Sequence, residues 1–107
     1  MNSFTQTLAD LEVAYARIAA IDRDALSEER RRERANAMRQ VRRAINRIDV
    51  AVFSSLSEQA KKSAEELEAA AAKLKSDLAN VRGAVAAINL VAGTIQAIAS
   101  LLTLVGV

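Results

Sequence analysis

Residues 57–104 read SEQAKKSAEELEAAAAKLKSDLANVRGAVAAINLVAGTIQAIASLLTL, and within them Ala60, Leu67, Ala71, Leu74, Leu78, Val81, Val85, Ile88, Ala92, Ile95, Ala99 and Leu102 hold a seven-residue apolar period. That spacing is the seam of a coiled coil. No proline interrupts it, so the repeat predicts one continuous helix, about 70 Å long at 1.5 Å per residue. Gly83 and Gly93 are its weak points; each is about 1 kcal/mol less favourable than alanine, which permits a bend without requiring one.

Upstream, FSSLSEQ supplies a turn. Ser55 and Glu58 match the S-x-x-E capping box that starts a helix. The preceding helix is expected from Leu26 to Phe53, with Met38, Val41, Ile45, Ile48 and Val52 three and four apart on its buried side. Carried back into RRRER, the same stripe contains Arg30 and Arg34. Either the hairpin splays there or these arginines meet carboxylates from another helix. Before IDRDALSEE, whose two aspartates and serine favour a turn and a new cap, Phe4, Leu8, Leu11, Tyr15 and Ile18 mark a first helix that ends near residues 20–22. Ser3 and Gln6 offer an S-x-x-Q box at its start, and Tyr15 is read as a core residue with its hydroxyl at the edge.

The expected fold is therefore all-α: a long antiparallel, coiled-coil-like hairpin joined near residues 54–57, an N-terminal helix packed on it, and an apolar C-terminal tail. Residues 1–82 form the charged helical region, and residues 83–107 continue the last helix without one charged side chain. The chain has 107 residues, 51% of them apolar but only 3% aromatic, so its core is thin. Stability then depends on close helix packing or on a partner. Homo-oligomers are expected, and a chain ending at Arg82 is expected to be monomeric or weakly associated.

Composition also excludes chemistry. Histidine, cysteine, proline and tryptophan are absent, which removes the imidazole base, the thiol nucleophile and the common soft-metal ligands. Glu65 with Glu68, or Glu28 with Glu29, would make an acid and base only if a pocket surrounded them, and no glycine-rich phosphate loop is present. No catalytic residue, metal or cofactor is expected. The N-terminus lacks the basic start and continuous apolar core of a secretory signal, so synthesis in the cytoplasm is expected, with membrane association through the tail.

Around the tail, Ala86, Asn89, Gly93, Gln96, Ser100 and Thr103 form a narrow stripe of small and polar residues. Val85, Ile88, Ile95, Ile98 and Leu102 belong to the apolar face, and hydrophobicity covers most of the circumference. About eleven Leu, Ile and Val side chains favour insertion by roughly 5 kcal/mol, while unpaired amides at Asn89 and Gln96 cost a comparable few kcal/mol. A lone tail is a marginal span. Several copies with the stripe inward would pair those amides, and the small residues would allow close approach. In a soluble oligomer the same stripe is simply the face toward water.

Arg32, Arg39, Arg42, Arg43 and Arg47 share the face of the second helix opposite its apolar stripe. The net charge is only +2, so ion pairs with glutamates of other helices rank first as their use, anionic membrane second and nucleic acid last, since no aromatic side chains are interleaved to stack bases. The leading functional expectation is a non-enzymatic, self-assembling helical protein that acts on a membrane through its tail, as a pore-forming toxin, cell-death effector or phage lysis or ejection component does. Its alternative is a soluble structural or adaptor module whose tail is buried between subunits or against a partner helix.

Overall fold

The computed structural model describes residues 3–49 and 57–106, with side chains from residue 4 onward. Four α-helices, α1 (Ser3–Ala19), α2 (Glu28–Asp49), α3 (Glu58–Asn80) and α4 (Ala84–Val105), make a bundle with no strand among the described residues. Around its axis the order is α1, α2, α4, α3, so that α1 and α4 each pack on both α2 and α3. Arg34, near the start of α2, reaches the end of α1, which makes that pair antiparallel. Arg47 donates from Nη2 to Thr103 Oγ1 at 3.3 Å near the C-termini of α2 and α4, so these neighbours run in the same direction.

The turn between α1 and α2 forms as its side-chain oxygens predict. Asp22 accepts from the Asp24 N–H at 3.0 Å and begins a short 3-10 turn, Arg23–Ala25. Ser27 Oγ then accepts from the Arg30 N–H at 3.2 Å and caps α2. Two arginines of RRRER close the turn from the other side. Arg31 Nε donates to the Arg23 carbonyl at 2.7 Å, while Arg34 donates to the carbonyls of Ile18 at 3.2 Å and Ala19 at 3.0 Å. The Ile18 and Ala19 carbonyls lie in the last turn of α1, where acceptors outnumber backbone donors and the helix dipole favours a cation; Ile18 also accepts from the Ile21 N–H at 3.2 Å. Arg30 and Arg34 thus neither splay a hairpin nor meet carboxylates from another helix: Arg34 caps α1, and Arg30 pairs with Glu33 of its own helix at 2.7 Å. That hydrogen bond and the Glu33 charge raise the Arg30 pKa above its ordinary value.

The main correction concerns residues 57–104, which are two helices rather than one. At Val81 the backbone turns extended, its N–H still bonded to the Asp77 carbonyl, and Gly83 takes φ +88°, a conformation that suits glycine. The chain folds back as α4. A straight helix of about 70 Å would carry α4 away from the other helices, whereas the bundle is 46 Å in its longest dimension and covers α4's apolar face with α2 and α3. The tail therefore does not continue the last helix, and α2 and α3, expected to be the two arms of a hairpin, occupy opposite corners. Helix α3 begins at the Ser57 cap, whose Oγ accepts from the Ala60 N–H at 3.1 Å. Ser55, the proposed turn at 54–57 up to residue 56, and the α2 extension to Val52 and Phe53 lie outside the described residues.

One core runs through all four helices. Leu11 and Ile18 of α1, Val41 of α2, Leu67 and Leu74 of α3, and Ile88, Ile95, Ile98 and Leu102 of α4 are fully or almost fully buried. Residues 1–82 and 83–107 contribute to the same cluster. Ending the chain at Arg82 would uncover the inner faces of α2 and α3, so partial unfolding is the physical expectation for that truncation instead of a clean monomer. Among the described residues the polar Thr7, Asp10 and Ser63 are buried as well. Asp10 accepts from Gln6 Nε2 at 2.8 Å and faces Lys75 Nζ of α3 at 3.6 Å, the ion pair that ties α1 to α3.

Candidate functional site

Helix α4 divides into an inner apolar face and an outer uncharged one. Ala87, Ile88, Val91, Ile95, Ile98, Leu102 and Val105 point inward. The expected stripe, Ala86, Asn89, Gly93, Gln96, Ser100 and Thr103, is exposed along its whole length. Of the expected apolar face, Ile88, Ile95, Ile98 and Leu102 are buried, but Val85 is 39% exposed. The break at Gly83 restarts the helix in a new phase. Val91 and Ile98 consequently take inner positions that a continuous heptad would have given to Ala92 and Ala99.

Within the stripe the polar groups are not equivalent. Ser100 Oγ donates to the Gln96 carbonyl and Thr103 Oγ1 to the Ala99 carbonyl, both at 3.1 Å one turn back. Their hydroxyl protons are satisfied by α4 itself. The amides of Asn89 and Gln96 have no partner among the described residues, and so carry the desolvation cost of burying this face. A Cβ built on Gly93 meets no atom within 4 Å. Gly93 thus marks open surface in the bundle, not the closest approach of two of its helices. The flank holds half-buried Leu90 and Leu101, with Leu104 64% exposed at the end.

Beside it, α2 presents the basic face, which resolves into separate roles. The Arg42 guanidinium sits 4.4 Å from the centre of the Tyr15 ring, a cation–π contact to α1. Tyr15 is accordingly half-buried at the edge of the core. Arg47 turns the other way to Thr103 of α4. Between them Arg39, Arg42, Arg43 and Arg47 line a shallow depression with Asn46, and Arg32 shares the adjoining one with Glu33, Asn36 and Arg39. Among the described residues Arg32, Arg39, Arg42 and Arg43 make no ion pair; Lys75 pairs with Asp10 between helices, and Lys61 with Glu58 and Lys73 with Asp77 pair within α3. Glu65 and Glu66 are exposed on α3, at the opposite corner from α2.

Pattern reading missed Arg34 as a cap for α1 and Arg42 as the cover of Tyr15, since both contacts join residues far apart in the chain. The Gln6–Asp10 pair and the Ser100 back-bond, both four residues apart, do have a local signal in their spacing. No protein-family model, curated protein or solved structure matches the chain.

Proposed function

We propose that the protein is a non-enzymatic helical bundle that self-assembles and acts at a membrane through α4, in the manner of a pore-forming toxin, a cell-death effector or a phage lysis or ejection component. The observation that carries this reading is α4 itself: 22 uncharged residues with a mean hydropathy of 1.9 over its apolar window, only 33% of which is buried in the bundle. A helix that shows one face to water ordinarily carries charge there; α4 keeps free of charge a face that meets no other helix. At 1.5 Å per residue it is about 33 Å long, enough for a hydrocarbon layer of about 30 Å.

Transfer to lipid exchanges one apolar environment for another along the inner face of α4, and the Ser100 and Thr103 hydroxyls bring their own acceptors. The remaining obstacles are the Asn89 and Gln96 amides and the apolar faces of α1, α2 and α3 left behind. Assembly answers both, because the amides bond across neighbouring copies of α4 and the vacated faces re-pair. Gly83 supplies the joint at which α4 leaves.

Dye release from anionic vesicles tests the reading. Wild type is expected to release dye; Gly93→Leu blocks close approach of assembled α4 helices and abolishes release, while Asn89→Leu with Gln96→Leu strengthens insertion and lowers conductance. An inactive wild type, or variants that release dye as wild type does, would refute it. A second reading has its own support: in the bundle the stripe faces solvent and the inner face of α4 is already covered, as a soluble module for a partner helix or a second copy requires. Protein that stays with the aqueous fraction when vesicles are floated, yet runs as a stable oligomer without detergent, selects that reading.

A further inference from the structure

We propose that the outer face of α2 around Arg32, Arg39 and Arg43 is a docking surface for the phosphates of anionic lipid headgroups, bounded on one side by the uncharged face of α4. This rests on the reading that the protein works at membranes and names what its soluble form recognises there. The positive charge of the chain is concentrated in one element. Helix α2 carries eight arginines against Glu28, Glu29, Glu33 and Asp49, a net +4, in a chain whose total is +2. Residues 34–48 contain no acidic side chain.

Several of the eight already have structural work. Arg30 pairs with Glu33, Arg31 and Arg34 hold the turn, Arg42 covers Tyr15, and Arg47 reaches Thr103. Arg32 and Arg43 have no partner among the described residues, and Arg39 has a 3.3 Å bond to Asn36 of its own helix. Their guanidinium donors therefore face outward, where forked donors match phosphate oxygens. The glutamates of α3 cannot neutralise them from in front, because α3 lies across a bundle 17–23 Å wide, about twice the screening length of physiological salt.

The surroundings set the direction of approach. On the α1 flank, Glu12 and Asp49 line a depression together with Arg42, so a polyanion meets carboxylates there. On the other flank α4 has no charge, and the Arg47–Thr103 bond fastens it alongside. A bilayer surface can rest on α2 and α4 together without meeting an acid from α4, and its headgroup zone accommodates the exposed Asn89, Gln96 and Leu104. Duplex nucleic acid would use the arginines but gain nothing from the uncharged neighbour, and Tyr15, which lines a depression with Arg39, is half-buried with the Arg42 guanidinium over its ring, where an unpaired base would have to stack. The observations therefore favour lipid.

Flotation of the full chain with vesicles of phosphatidylcholine alone, and of phosphatidylcholine with phosphatidylglycerol, provides the test. Binding is expected only with phosphatidylglycerol and should weaken as salt is raised. The triple variant Arg32→Gln, Arg39→Gln, Arg43→Gln should bind on the order of 100-fold more weakly, at about one basic residue per fivefold, with an unchanged melting temperature. Lys61→Gln, Lys62→Gln, Lys73→Gln removes the same charge from α3 and should change binding less than about threefold. Equal losses in the two triples would mean that net charge alone is read, and would overturn the proposal. So would wild type that fails to float with phosphatidylglycerol, that floats equally with phosphatidylcholine, or that binds a duplex oligonucleotide more tightly than the vesicles at physiological salt. Dye release separates this surface from insertion: vesicle binding lost in the arginine triple, without dye release by wild type, supports docking while α4 insertion fails, and release from pure phosphatidylcholine supports insertion while docking fails.

Discussion

Helices α2 and α4 are neighbours, run in the same direction and are each 22 residues long, yet their outward faces share almost nothing. Inward, both present β-branched and small apolar residues: Ala37, Val41, Ala44, Ile45 and Ile48 from α2, and Ala87, Ile88, Val91, Ile95 and Ile98 from α4. Outward, α2 carries arginines and α4 carries amides, hydroxyls and alanines. The core asks only for matched shape and apolarity, so the inner faces are nearly interchangeable. The outer faces are free of that demand, and their divergence is where function is to be sought.

The largest effects should fall on the inner faces and be of similar size on both helices. Ile45→Ala and Ile95→Ala each remove a buried side chain, and each is expected to cost about 2–5 kcal/mol in urea denaturation. A cost for Ile95→Ala less than half that of Ile45→Ala would break the comparison, since α4 would then be an attached helix and not a full corner of the bundle.

Within α2 itself, inner and outer arginines should separate next. Arg34 donates to two carbonyls at the end of α1, and hydrogen bonds to a charged group are worth about 1.5–3 kcal/mol together with the favourable dipole. Arg34→Ala should therefore destabilise by about 2 kcal/mol, whereas Arg43→Ala, at an outward position, should stay within about 0.5 kcal/mol. Equal values for the two would make the capping contact energetically idle and leave the α1–α2 turn to Asp22, Ser27 and Arg31.

How far these faces can be read without coordinates follows from the range of each interaction. Asp22 and Ser27 act on N–H groups two and three residues away, so the turn is legible in IDRDALSEE. Ile88, Ile95 and Leu102 are legible as inner residues because seven residues nearly close two helical turns. The fold-back at Gly83 is not. A glycine's local cost of about 1 kcal/mol does not distinguish a bend from a straight helix; the balance is tipped by Ala87, Val91 and Ile98, which find cover only when α4 lies against α2 and α3. The phase of α4 then starts afresh, which exposes Val85. Arg34 is likewise illegible, because its acceptors lie fifteen and sixteen residues upstream. The outer stripe of α4 was legible as a set of residues, while its exposure depended on knowing which other helices were there to cover it.

The effects at the two glycines should differ in sign. A Cβ at Gly83 or at Gly93 meets no atom within 4 Å, so crowding contributes at neither position and backbone conformation alone decides. Gly83 has φ +88° and ψ 149°, a region close to glycine-only backbone; Gly83→Ala should destabilise by about 1–3 kcal/mol. Gly93 is helical and exposed, where alanine is preferred by about 1 kcal/mol, so Gly93→Ala should raise the urea midpoint. The pair also sharpens the contrast between the inner and outer faces of α4. If Gly93→Ala lowers stability, and does so more at higher protein concentration, another copy must lie against this face in solution, because nothing in the single bundle occupies that space.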